Sequence, residues 1–272
     1  MTGTTLPEHS PAQSPDSVEP SVLYEHGDGV ALITLNRPRR MNALNVGLLL
    51  ELARLLEHCQ DNPDISVILL TGAQGHFSTG ADLKDTSPGP NGEERLDVLH
   101  RCFLLLMQSR KPVIAAVAGN AYGAGLSLAL ACDYIVAARS ARFCAPFTGV
   151  GLVPDTGLAY TLPLRIGMGR ARRMMFEGLV VEAELALDWG LVESVVDDPV
   201  LLEHARAIAA RLMTRAPLAL QGLRSLLARQ WPDPVEFLRE EQRLQKQLLT
   251  TRDVQEARRA FAEKRSPRFE GR

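Results

Sequence analysis

The chain has 272 residues, 46% hydrophobic and 23% charged, the balance of a globular protein that buries a real core. That length accommodates one α/β domain, or a domain with an appended piece. A net charge of −2 gives no electrostatic basis for nucleic acid or an anionic membrane as partner. The apolar stretches are broken by glycine or a charge before about 20 residues, too soon to span a bilayer.

Residues 1–20 are rich in Thr, Ser and Pro. They lack the basic start and apolar run of a signal peptide and the arginines of a transit peptide, so a disordered tail on a cytoplasmic protein is expected. Short alternating or apolar runs at 22–26 and 30–35 flank Gly27-Asp28-Gly29, the pattern of a β-hairpin. Asn45 can cap a helix reaching to about Gln60, with Leu48, Leu49, Leu52, Leu55 and Leu56 at helical spacing. A buried strand at 65–71 runs into a Gly-rich loop, 72–80, and the charged, Pro/Gly-rich stretch 86–94 reads as a mobile loop before a helix at 96–109. A second strand at 113–117 is again followed by glycines and then by an apolar helix at 125–131, and 133–138 is a third strand. From about Pro154 the pattern turns helical, at 169–177, 182–189, 201–214, 217–229, 234–249 and 252–264. Strand–helix alternation followed by helices predicts one α/β core, 21–200, with a helical C-terminal region, 201–272. Cys59, Cys102, Cys132 and Cys144 are widely spaced with no C-x-x-C pair, so they read as buried small hydrophobes rather than disulfides or metal ligands.

Two segments can carry chemistry, each a buried strand leading through small residues towards a helix. They are 76–84 (HFSTGADLK) and 118–126 (AGNAYGAGL). Small residues let a ligand approach the backbone, and amides near a helix N-terminus point outward with partial positive charge. Two such amides converging from separate loops make an oxyanion hole, although small residues at such junctions also serve as plain tight turns. Gly123-Ala124-Gly125 lacks the third glycine of a dinucleotide fingerprint, because Leu128 stands there.

The order of motifs resembles the crotonase (enoyl-CoA hydratase/isomerase) family. Asn36-Arg37-Pro38 with Met41-Asn42-Ala43-Leu44 resembles its N-R-P-x-x-x-N-A-L opening, 78–84 its oxyanion loop, and 111–117 (KPVIAAV) its second core strand. Residues 119–133, 151–157 (GLVPDTG), 186–192 (ALDWGLV) and 260–265 (AFAEKR) match further on, so the resemblance covers essentially everything after residue 20. The resemblance implies a spiral of ββα turns forming two stacked sheets, with C-terminal helices that assemble a homotrimer or homohexamer. It implies an acyl-CoA thioester as substrate, CoA being part of that substrate, and no metal or redox cofactor. It places the oxyanion amides at Ala81 and Ala124 and the CoA adenine near Ser78 and Leu83. Arg39 and Lys264 become candidate partners of the CoA phosphates, with Phe261 packing nearby; read without the resemblance, both are solvated surface charges.

The departure from the family pattern concerns the acids. The two glutamates that flank a water in the resembling hydratases fall at Ser127 and Phe147, both expected in the substrate pocket, and neither side chain is a carboxylate acid or base. One acid remains, Asp155, in Val153-Pro154-Asp155-Thr156-Gly157. At the start of a helix it is a candidate N-cap. The resemblance, strongest here to 1,2-epoxyphenylacetyl-CoA isomerases and enoyl-CoA isomerases, makes it a working aspartate facing the acyl chain, where burial beside Phe147 is expected to raise its pKa. Asp82 is read as ordering its loop. The implied activity is isomerisation of an acyl-CoA through a stabilised enolate. A single-acid hydratase, a nucleophilic Asp155 and a non-catalytic acyl-CoA-binding protein stay open.

Overall fold

The apolar runs of the first half have too few polar residues to face water on either side, and they pair with one another accordingly. In the computed structural model, which describes residues 20–85, 87–228 and 231–272, they are β2 (Val30–Leu35), β3 (Val67–Gly72), β4 (Val113–Val117) and β6 (Tyr134–Ala138). With β1 (Val22–Gly27) and β9 (Ser194–Val196) they form a six-stranded sheet in the order β1-β2-β3-β4-β6-β9. Only β1 runs antiparallel to its neighbour, paired to β2 through the expected hairpin. Asp28 and Gly29 at its tip both have positive φ, 50° and 78°, the geometry of a two-residue turn that matches strand twist. A smaller sheet, β5-β7-β8, joins β5 (Asn120–Tyr122), β7 (Arg142–Cys144) and β8 (Val181–Glu182). The result is the mixed α/β architecture with two sheets that the motifs implied.

One face of the large sheet packs on α1 (Val46–Asp61), α2 (Arg95–Met107) and α3 (Ala124–Leu130) in a single apolar cluster that includes Leu48, Leu52, Leu56, Leu99, Phe103 and Leu126. Asn45 caps α1 as expected, its Oδ1 accepting from the Leu48 amide at 3.0 Å. The opposite face is covered by α6 (Leu201–Met213), whose Leu201, Ala205, Ile208 and Ala209 meet Leu32, Leu69, Ile114 and Val136. Without α6 the second face of the sheet would lie bare, so the core extends through that helix. Beyond it, α7 (Pro217–Leu227), α8 (Pro234–Leu249) and α9 (Arg252–Ala262) bury only Gly222, Asp253 and Ala260. Arg224 anchors α7, its Nε donating to both Asp133 carboxylate oxygens at 2.8 Å and its Nη2 to the Leu106 carbonyl at 3.1 Å.

Other differences from expectation are local. The four short strands β5, β7, β8 and β9 have two or three residues each, too few to display a period. The helix expected at 169–177 is the second half of α4 (Leu158–Glu177), which changes direction at Gly167 (φ 76°, ψ 156°) and carries Pro163 in its first half. The helix expected from 182 is α5 (Ala183–Trp189). All four cysteines are free and buried. In the expected mobile loop, the Gly89 amide donates to the Glu93 carbonyl at 2.9 Å, closing a turn. The expectation of a disordered tail falls, Pro20 apart, outside the described residues. No helix among the described residues is long and apolar enough to cross a membrane.

Candidate active site

The first loop is built around Asn42, whose φ of 56° suits an asparagine and whose side chain is fully buried. Its Nδ2 donates to the carbonyls of Ala73 (3.0 Å) and His76 (2.6 Å), and its Oδ1 accepts from the Arg37 amide (2.9 Å). Arg37 in turn donates to the Ala43 carbonyl (2.6 Å) and pairs with Asp82 at 2.9 Å. Burial alone would raise the Asp82 carboxyl, but the Arg37 guanidinium and the Lys84 amide hold it below the ordinary carboxylate value. Asp82 is thus an ordering residue, as expected. Leu44 pairs with Ala81 in a one-residue bridge, taking the Gly80 carbonyl (2.8 Å) on one side and the Asp82 amide (2.9 Å) on the other. That pattern turns the Ala81 amide away from Leu44, and among the described residues it donates to no backbone group.

The second loop lies against the first. The Ser78 amide donates to the Asn120 carbonyl (2.8 Å) and the Tyr122 amide to the Ser78 carbonyl (2.9 Å). The backbones come so close that a Cβ on Gly125 would stand 2.6 Å from the Ser78 carbonyl oxygen. A Cβ on Gly80 would stand 2.7 Å from the Tyr122 carbonyl oxygen and 3.2 Å from the Ala124 nitrogen. Ala124 is the first residue of α3, entered through Gly123 at φ 52°, and its amide also donates to no backbone group among the described residues. Two uncommitted amides, Ala81 and Ala124, therefore flank one glycine, with small side chains at each.

Two positions were expected in the substrate pocket, Phe147 and Ser127, and one as the working acid, Asp155. The Phe147 ring lies over Gly123, 3.7 Å from where a Cβ there would be, and is almost fully buried. Ser127 is enclosed completely and does not line open space. Its single hydroxyl proton is shared between the Gly123 and Asp155 carbonyls, both at 3.3 Å, which ties the Asp155 peptide to the helix that begins at Ala124. Asp155 is half-buried, and its Oδ1 accepts from the Thr156 hydroxyl at 3.1 Å. It is not a cap: Gly157, at φ 68°, is the N-cap of α4, and no side chain caps that helix. Burial pushes the Asp155 carboxyl above its ordinary value, opposed by the Thr156 hydroxyl and by the charges of His100 and Arg95 on α2.

Residues 25–272, and so the whole of this site, match the family Enoyl-CoA hydratase/isomerase. The chain belongs to that family. It is 36% identical over 244 residues to 2,3-dehydroadipyl-CoA hydratase of Escherichia coli (89% of this chain, 96% of the relative). It is 36% identical over 260 residues to 1,2-epoxyphenylacetyl-CoA isomerase of the same organism (92% and 98%). The crystal structure of an enoyl-CoA hydratase from Bacillus anthracis superposes with a TM-score of 0.87 at 32% identity, covering 93% of this chain and all of that one. The fold expected from the motifs is the fold observed, and the activity is that of an enoyl-CoA hydratase/isomerase family enzyme.

The residues expected around CoA are more scattered. Ser78 is fully buried, its Oγ donating to the Asn42 carbonyl (2.8 Å) and accepting from the Gly80 amide (3.1 Å), so its hydroxyl is used in holding the loop. Leu83 and Phe261 are on the surface, 67% and 88% exposed. Arg39 and Lys264 are exposed, and among the described residues their side chains make no hydrogen bond or ion pair. Within one chain, no hydrogen bond or ion pair among the described residues joins 261–264 to the 78–84 loop. Sequence reasoning missed Gly80 and Thr156. A glycine before Ala81 in a loop of small residues was a signal for the first; nothing in the sequence signalled the second.

Proposed function

We propose that the protein isomerises an acyl-CoA thioester, with the Ala81 and Ala124 amides holding the thioester oxygen and Asp155 moving the proton. The observation that carries this reading is the combination of two uncommitted amides beside Gly80 with the half-buried carboxyl of Asp155, a residue whose backbone carbonyl is tied to the same helix by the Ser127 hydroxyl. Amides aimed at the oxygen stabilise the charge that develops when a carbon next to the carbonyl loses its proton. Asp155 takes that proton and returns it to another carbon, shifting a double bond or rearranging the acyl group. A carboxyl raised by burial is a better base than an ordinary one when ionised, and a pKa moved towards the working pH suits a group that must both take and return a proton. Ser127 and Phe147 supply no second carboxylate to hold and activate a water, which favours isomerisation over hydration. Leu83 at one end, on the loop that buried Ser78 holds, with Arg39, Phe261 and Lys264, is proposed to meet the CoA portion, the latter group from either the same or a neighbouring subunit of a homotrimer or homohexamer. In this reading CoA is part of the substrate and the reaction needs no further cofactor.

Hydration by a single acid is the second reading, favoured by the 36% identity to a dehydroadipyl-CoA hydratase. Product analysis in deuterated water separates the two, since hydration adds an oxygen and isomerisation only redistributes hydrogen. Asp155→Asn tests both: it is expected to lower turnover by about 10²–10⁴, the usual cost of a lost general acid–base, while saturated acyl-CoA still binds. Full activity in Asp155→Asn refutes the assignment. Tight acyl-CoA binding with no turnover of any thioester, in wild type as in variant, would instead mark a binding protein.

A further inference from the structure

Among the described residues six non-glycine positions have positive φ: Asp28, Met41, Asn42, Gln74, Thr156 and Lys264. Asp and Asn tolerate that region and unbranched side chains enter it at modest cost, whereas a β-branched residue there is a true outlier. Thr156, at φ 52°, is the β-branched one, and it is 1% exposed. A glycine there would relieve the backbone, so something other than the turn calls for this side chain. Its hydroxyl has one side-chain partner, the Asp155 carboxylate oxygen Oδ1 at 3.1 Å. The next residue, Gly157, is packed so closely on the Phe103 ring that a Cβ would stand 2.3 Å from it. The segment therefore has no room to relax towards α2, and Ser127 pins the Asp155 carbonyl from the α3 side.

We infer that Thr156 is a positioning residue, its hydroxyl fixing the rotamer of the Asp155 carboxylate. This rests on the reading of Asp155 as the acid/base and deepens it. The groups facing Asp155 are Thr156 in its own turn, Ser127 on α3, and Arg95 and His100 on α2. Arg95 Nη1 donates to the carbonyls of Asp82 (2.5 Å) and Asp85 (3.0 Å), and among the described residues the Thr156 hydroxyl is the side-chain donor to the carboxylate. A donor to the charged form opposes the effect of burial. Removing it takes away the largest of the contributions that oppose burial, so the carboxyl holds its proton to higher pH.

The test uses the full-length protein with Thr156→Val, which keeps shape and branching and loses the hydroxyl, and Thr156→Ser, which keeps the hydroxyl. The first readout is the titration of the Asp155 carboxyl carbon by NMR, assigned with Asp155→Asn, which needs no turnover. The expected result is a midpoint moved to higher pH in Thr156→Val and returned to the wild-type side in Thr156→Ser. The second readout is the acid limb of kcat/KM against pH, expected to move in the same direction, with a several-fold loss below the limb and a smaller loss on the plateau. An unchanged Asp155 midpoint in folded Thr156→Val overturns the inference, as does a Thr156→Ser variant that behaves like Thr156→Val. A midpoint that moves without any movement of the acid limb supports the Thr156 contact and counts against Asp155 as the base. Should Thr156→Val fail to fold, the decision rests on Thr156→Ser and Thr156→Ala, which must differ in Asp155 midpoint for the inference to stand.

Discussion

Replacing Gly80 by alanine adds one methyl group at the narrowest point between the two loops. The new Cβ would lie 2.7 Å from the Tyr122 carbonyl oxygen and 3.2 Å from the Ala124 nitrogen, at a φ of 88°. Carbon contacts settle near 3.5 Å, so the loops must part by roughly 0.8 Å at that point. The left-handed backbone costs about 1–2 kcal/mol and the overpacking about 1–3 kcal/mol, a loss that a domain of ordinary stability (about 5–15 kcal/mol) can survive. Catalysis is more sensitive, since a misplacement of about 1 Å costs on the order of 10² in rate and loss of one oxyanion donor about 10²–10³. Gly75→Ala is the control: φ there is 79°, with no atom within 4 Å of the added Cβ, so it carries the strain without the crowding. Turnover of an enoyl-CoA panel, followed by NMR of the products, is measured beside circular dichroism and thermal melts. The expectation is a folded Gly80→Ala with at least about 10² lower kcat/KM and a Gly75→Ala near wild type. A folded Gly80→Ala with wild-type turnover would place the oxyanion donors somewhere other than Ala81 and Ala124.

Three further outcomes are expected. Ala124→Val keeps the fold but crowds the thioester oxygen, so activity drops by about 10²–10³; unchanged kinetics would contradict the role of that amide. The Asp155 carboxyl is raised in the folded state by burial, so the folded protein binds more protons than the unfolded one across that window, and stability falls as pH rises through it. Asp155→Asn therefore melts higher than wild type at neutral pH, with the gap closing below the ordinary carboxylate range; a gap that widens in acid contradicts the sign. Leu223, Leu227, Val235, Leu238 and Leu249 on α7 and α8 are exposed in one chain, and sedimentation is expected to show a trimer or hexamer that covers such a face; a stable monomer at micromolar concentration refutes it.

The sequence by itself determined what depends on near neighbours. The run 113–117 reads as a strand because every residue in it is apolar, and both its faces are buried. Asn45 reads as a cap because its side chain serves an amide three residues on, and Gly27-Asp28-Gly29 as a turn because its backbone needs residues that accept positive φ. The order of motifs carried the family resemblance, and that resemblance implied that Ser127 and Phe147 stand where the resembling hydratases have their pair of carboxylates. The tertiary structure decided everything that depends on groups far apart in the chain. The strands β5, β7 and β8 exist because they pair with one another, and α6 belongs to the core because the sheet offers it an apolar face. Ser127 is committed to the Asp155 carbonyl across 28 positions, and Gly80 is required by the Tyr122 carbonyl across 42. Asp155 was a candidate cap by its residue type and place, until the turn at Thr156 and Gly157 set the start of α4 beyond it. A periodic pattern reports which face of an element is apolar; it carries no information about which distant backbone atom will stand 3 Å away, and that distance is what makes a site.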